Sequence, residues 1–117
     1  MKANMKEITM KLEPDIPGIP EVRASASRAC AMLKVMANED RLLLLCQLIQ
    51  GARNVGELEA LLGIRQPTLS QQLTVLREEG LVKTQRKGKY VIYSLASSEA
   101  VQIIQTLYSI YCSGRHT

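Results

Sequence analysis

Apolar residues recur at helical spacing through most of this chain and give way to β-branched and aromatic runs in a single stretch. Glu21 to Ala37 is rich in Ala, with Cys30, Leu33 and Met36 among its apolar positions, and predicts a helix with small, close-packing residues. Asn38 predicts the N-cap of a second helix, Glu39 to Gln50, whose first turn is acidic. Leu42 to Leu45, Cys46, Leu48 and Ile49 leave that helix almost no polar face, which predicts a central position, and Gly51 ends it. Asn54 caps a short third helix with Glu57 at the capping-box position. Leu58, Leu61 and Leu62 are its expected apolar face, and Gly63 its stop. Pro67 suits the first turn of the next helix, with Gln66 as cap and Gly80 as the closing residue. Leu81 to Arg86 and Lys89 to Leu95 predict two strands around Lys87-Gly88. Ser97 or Ser98 caps a last helix that runs to about Cys112. Val101, Ile104, Leu107, Tyr108 and Tyr111 form its stripe, widened by Ile103 and Ile110. A stripe that wide predicts burial on two sides, against its own domain and against a partner.

The stretch from Leu58 to Leu81 is the most informative. A short apolar helix, a glycine, a three-residue connection and a second helix opened by proline make a helix-turn-helix. Leu69, Leu73 and Leu76 fall on one face of the second helix, while Gln71 and Thr74 face away with Thr68 and Ser70 on the flanks. These short, uncharged side chains donate and accept. Gln pairs bidentately with adenine, and Ser or Thr serves several bases or a phosphate. Gln66 and Thr68 sit at the end that enters the groove, and Gln72, also a candidate DNA contact, projects nearer the buried flank. The bland alternative is a solvated polar face on an ordinary amphipathic helix. The basic hairpin weighs against it: Arg86, Lys87 and Lys89 cluster at the tip, where a wing meets phosphate or the minor groove. The expected fold is therefore mainly α with a β-hairpin wing, a winged helix-turn-helix. Residues 1–20, with Pro14, Pro17, Gly18 and Pro20, are expected to form a loose arm, and residues 21–117 the domain.

Length allows one domain: 117 residues, 46% of them hydrophobic, with neither Trp nor Phe. In so short a chain, long apolar helices often complete their burial across a dimer interface, here through the first and last helices. The net charge of +4 and a pI near 9.1 favour nucleic acid as partner, though an ordinary basic protein shares them. No segment resembles a signal peptide or a membrane span, which predicts a cytoplasmic protein with reduced thiols. Cys30, Cys46 and Cys112 are then not a structural disulfide framework, and any pairing among them is conditional. One terminal His, no glycine-rich phosphate loop and no carboxylate cluster with a base argue against an enzyme, and no cofactor is expected.

Ala37 to Leu45 (ANEDRLLLL), Gln66 to Val82 (QPTLSQQLTVLREEGLV) and Lys89 to Leu95 (KYVIYSL) resemble the ArsR/SmtB family of bacterial repressors, homodimeric winged helix-turn-helix proteins. The resemblance covers about Glu21 to Cys112. Most members sense metals, and this chain departs from them. The stretch Val55-Gly56-Glu57-Leu58-Glu59 stands where the family carries a cysteine pair, and the one histidine, His116, cannot close a tetrahedral site. No metal site is expected. The chain is more similar to the branch of BigR, SqrR, YgaV and HlyU, with a cysteine late in the second helix (Cys46) and one ending the last (Cys112). That resemblance implies that the two thiols sense reactive sulfur species or oxidants. Bridging them, by a disulfide or a polysulfide, would weaken binding to a double-stranded operator.

Taken as residues alone, Cys112 reads as exposed and Cys46 as a buried, inert thiol in the most apolar helix. Cys30 reads as a small core or interface residue. Other readings stand beside the repressor: an activator of the HlyU kind, a thiol-based metal sensor, and a winged-helix interaction module that does not bind DNA.

Overall fold

The structure, a computed structural model, describes residues 18–112. Their order is α1 (Ile19–Met36), α2 (Glu39–Ile49), β1 (Arg53–Asn54), α3 (Val55–Leu62), α4 (Thr68–Glu78), β2 (Val82–Lys87), β3 (Tyr90–Leu95) and α5 (Ser98–Tyr111). Most of the expected arm, and His116, lie outside the described residues. The chain is already helical at Ile19, two residues before the expected start. Pro20 does not oppose this, because a first-turn residue has no intrahelical use for its N–H.

Two compact units divide between Ala31 and Met32. In the first, residues 18–31 are exposed throughout, Ile19 and Val22 among them. The second holds the core. Leu44, Leu45 and Leu48 of α2 pack with Leu58 of α3, Leu69, Leu73 and Leu76 of α4, and Ala100 and Ile104 of α5. Each such leucine stabilises the fold by about 1.5–3 kcal/mol relative to an exposed one. No buried polar or charged side chain interrupts this cluster.

Local signals set the boundaries. Asn38 accepts from the Arg41 amide at 3.0 Å, and Asn54 and Glu57 exchange side-chain and backbone bonds in a capping box, each at 2.8 Å. At the end of α4, Gly80 takes φ 81°, the Gly80 N–H donates to Arg77 and the Leu81 N–H to Leu76. This is a Schellman stop, which needs a left-handed residue. Ser97, of the two candidates, caps α5, its hydroxyl accepting from the Ala100 amide at 3.0 Å.

The sheet has the order β1-β3-β2, antiparallel throughout. Val82 pairs with Leu95 and Lys87 with Tyr90, so the loop is Gly88-Lys89, one residue later than expected. Gly88 at φ 61° is followed by a residue of negative φ, as a type II′ turn requires. Strand β1 was not foreseen: two residues show no alternation, and Arg53 and Asn54 become a strand only by pairing with Tyr93 and Ile92. Two further details differ from expectation. Leu61 is 53% exposed, because Leu58 and Leu62, one turn apart, take the inner face of a two-turn helix. Pro67, not Gln66, is the N-cap residue of α4, without a side-chain cap bond. The fold is a winged helix-turn-helix: α3 and α4 joined by a short turn, then the β2–β3 wing.

Candidate nucleic-acid interface and thiol pair

Helix α4 has two unlike sides. Leu69, Leu73 and Leu76 are held in the core, which fixes the helix's rotation. Thr68, Ser70, Gln71 and Thr74 are exposed on the other side. The Ser70 hydroxyl donates to the side-chain oxygen of Gln66, which is also exposed, and Thr74 donates to the Ser70 carbonyl at 2.8 Å. The side chains of Thr68 and Gln71 have no hydrogen bond to other described residues, so their polar groups face solvent unspent. At the wing tip Arg86, Lys87 and Lys89 are all exposed, and Lys89 Nζ lies 5.6 Å from the centroid of the Tyr90 ring. These seven predicted positions therefore present donors, acceptors and cations to solvent.

Gln72 is the eighth, and it differs. It is half-buried, and its side-chain oxygen accepts from Arg41 Nη1 at 2.9 Å. Arg41 also donates from Nε to the Val35 carbonyl at 2.6 Å and from Nη2 to the Lys34 carbonyl at 3.3 Å. One guanidinium thus ties the end of α1 and the recognition helix to the first turn of α2. Sequence reasoning missed Arg41. Its position in an acidic, capped first turn reads as a solvated charge, and no local spacing announces partners 31 residues away.

Cys46 is half-buried on α2 and opens on a pocket of about 300 Å³ between α2 and α5. Ile49 of α2 and its C-cap Gln50 line it on one side, and Ile104, Gln105 and Tyr108 of α5 on the other. Cys112 is exposed and caps α5, its N–H donating to the Tyr108 carbonyl at 2.8 Å. Burial pushes the Cys46 thiol above its ordinary pKa, and negative charge at Cys112 pushes it further. The two thiols, distant in sequence, are therefore electrostatic neighbours, and Cys46 is not the sealed core thiol that its helix suggested. Cys30 lies in the other unit and is exposed, which rules out the core role considered for it. Among the described residues, no group of three or more His, Cys, Asp or Glu could hold a metal ion, and no helix is long and apolar enough to cross a membrane.

Known proteins share this fold. Residues 38–84 match the model for "Bacterial regulatory protein, arsR family". The biofilm growth-associated repressor of Agrobacterium fabrum is 50% identical over 99 residues, spanning 85% of this chain and 84% of that protein. The transcriptional activator HlyU of Vibrio cholerae is 40% identical over 103 residues, spanning 85% and 95%. The crystal structure of the transcriptional repressor BigR from Xylella fastidiosa superposes with a TM-score of 0.76 at 42% identity, covering 84% of this chain and 97% of that one. With its reading helix and wing accounted for and relatives matched over nearly their whole length, the chain belongs to the arsR family of bacterial regulatory proteins, in the branch of BigR and HlyU, as a DNA-binding transcriptional regulator and not an enzyme.

Proposed function

We propose that the protein is a cytoplasmic, homodimeric repressor whose operator affinity falls when Cys46 and Cys112 are joined in response to reactive sulfur species or oxidants. Thr68, Ser70 and Gln71, with Gln66 at the helix start, are the base-edge and phosphate contacts. Arg86, Lys87 and Lys89 are the wing's phosphate contacts. Dimerisation through the first and last helices is supported by the apolar side chains they expose: Ile19, Val22 and Leu33 on α1, and Tyr108, Ile110 and Tyr111 on α5, the last 72% exposed.

The observation that carries the sensing role is that half-buried Cys46 opens on the pocket between α2 and α5, the helix that Cys112 ends. The chemistry balances simply. A Cys112 thiolate attacks the outer sulfur of a hydropersulfide RSSH, giving a Cys112 persulfide and releasing RS⁻. The Cys46 thiolate then attacks the inner sulfur of that persulfide, forming the disulfide and releasing HS⁻. Two thiols are oxidised, and RSSH is reduced to RSH and hydrogen sulfide. Where a second RSSH first converts Cys46 to a persulfide, releasing RS⁻, the outer sulfur of that persulfide attacks the inner sulfur of the Cys112 persulfide and releases HS⁻. The product is a trisulfide, which tolerates a wider gap than the Cα spacing of about 4.4–6.8 Å that a disulfide allows. Joining α2 to α5 changes the packing that spaces the two recognition helices, which must match half-sites about 34–36 Å apart.

The test is operator affinity before and after treatment with inorganic polysulfide, for wild type, Cys46→Ser and Cys112→Ser. Wild type loses affinity and both variants keep it. A serine variant that still responds rejects the dithiol reading. A second reading, an activator that displaces another protein from DNA, is favoured by the likeness to HlyU. Reporter output in a deletion strain gives the sign.

A further inference from the structure

We infer that Gln72 is not a base-reading residue but the recognition-helix end of a clamp formed by Arg41, and that Arg41 is a positioning residue for DNA recognition. The inference rests on the DNA-reading assignment of α4 above. By sequence, Gln72 belongs with Gln71: adjacent, amide-bearing, and on the helix that enters the groove. The geometry separates them. Gln71 is exposed, its amide without a hydrogen bond to other described residues, whereas the half-buried Gln72 directs its oxygen to Arg41 Nη1 at 2.9 Å. Bidentate reading of adenine needs that same oxygen turned to the base while the amide nitrogen donates beside it. The Arg41 bond holds the oxygen the other way.

The clamp's other jaw is backbone. In the last turn of α1 the Val35 carbonyl accepts from Arg41 at 2.6 Å, and the Lys34 carbonyl, which also accepts from the Ala37 N–H at 3.3 Å, accepts from Arg41 at 3.3 Å. The guanidinium's planar fork serves all three acceptors from one side chain, which an ammonium on a flexible stem does not. Arg41 is itself placed by the capped first turn of α2, where its amide donates to Asn38. The rotation of α4 about its axis is thus set twice, by the leucine stripe beneath and by the Arg41–Gln72 bond at its flank. The helix that holds Arg41 in its first turn carries Cys46 in its last, so a shift of α2 reaches the reading helix through this bond.

The experiment is selection of binding sites from a randomised duplex pool, followed by affinity titration on the selected duplex, with wild type, Gln72→Leu, Gln72→Glu, Arg41→Met and the Arg41→Met/Gln72→Leu double variant. Thermal unfolding of each controls for folding. The clamp predicts that Gln72→Leu and Arg41→Met each weaken binding roughly five- to tenfold without changing the selected bases. The double variant is then about as weak as either single one, the non-additivity expected of contacting partners. Gln72→Glu keeps an acceptor for Arg41 but presents no donor to adenine, so it retains the wild-type base preference. If either Gln72 variant changes the preferred base at a defined position, Gln72 reads DNA and the clamp is wrong; if the single losses add, the two side chains act independently and the clamp is wrong. Should Arg41→Met fail to fold, the Gln72→Leu and Gln72→Glu preferences still decide. If wild type selects no sequence at all, the DNA-reading assignment fails and the clamp falls with it.

Discussion

The exposed polar side of α4, the proposed reading face, and the thiol-bearing seam between α2 and α5 are built on opposite principles. Under the reading face lie Leu69, Leu73 and Leu76, each at most 1% exposed, so the polar side chains above them stand on a rigid base. The seam has open space in place of that base, a pocket of about 300 Å³ beside a half-buried Cys46. Tight packing transmits displacement, whereas a loosely filled seam accepts a new covalent link without first breaking a full set of contacts. The difference teaches where the molecule holds its shape and where the proposed link would find room.

The comparison breaks most visibly at its rigid side. Leu73→Ala should cost about 2–5 kcal/mol of unfolding free energy in denaturant titration, and Ile49→Ala, partly buried at the pocket, should cost less. Equal costs would erase the distinction. On the reading face, Gln71→Ala should lose about 1–3 kcal/mol on the selected duplex and relax preference at one base pair, with unfolding free energy unchanged. Asn54→Ala, which removes the cap of α3, should lower stability by about 1 kcal/mol. On the proposed reading the wing acts through charge alone. Arg86→Ala with Lys87→Ala should weaken binding to all sequences alike and reduce the salt slope by about 2.

The seam also carries a pH dependence. Burial, and then the charge of Cys112, hold Cys46 protonated, so its folded pKa lies above its unfolded one. The stability this neutral thiol contributes is fully present below the unfolded pKa and is lost as pH rises through the folded value. Link closure needs the Cys46 thiolate, so its rate should climb through the same window, above the range where an ordinary cysteine ionises. A stopped-flow pH profile that is flat there would show that attack by Cys46 does not limit closure.

The two regions were not equally legible in the sequence. The buried and exposed sides of α4 were, because caps, glycine stops and the Leu69-Leu73-Leu76 spacing are local signals that fix which side of α4 is buried. The wing tip was legible to within one residue, since a hairpin glycine and flanking cations mark it. Leu61 and β1 were not, because a two-turn helix and a two-residue strand take their environment from distant partners. The same holds at higher stakes for Arg41 and Gln72. Their bond spans two helices, and spacing along one helix gave Gln72 only a flank, not a partner. The neighbouring of Cys46 and Cys112 was implied by family resemblance alone, as no local pattern relates the second helix to the last.

The most direct measurement is the equilibrium affinity of one protein preparation for its selected duplex, fully reduced and then with mass spectrometry showing Cys46 and Cys112 completely linked. The account predicts that linking lowers affinity by roughly fivefold to a hundredfold, the range of ordinary allosteric coupling. Unchanged affinity in the fully linked protein would contradict it.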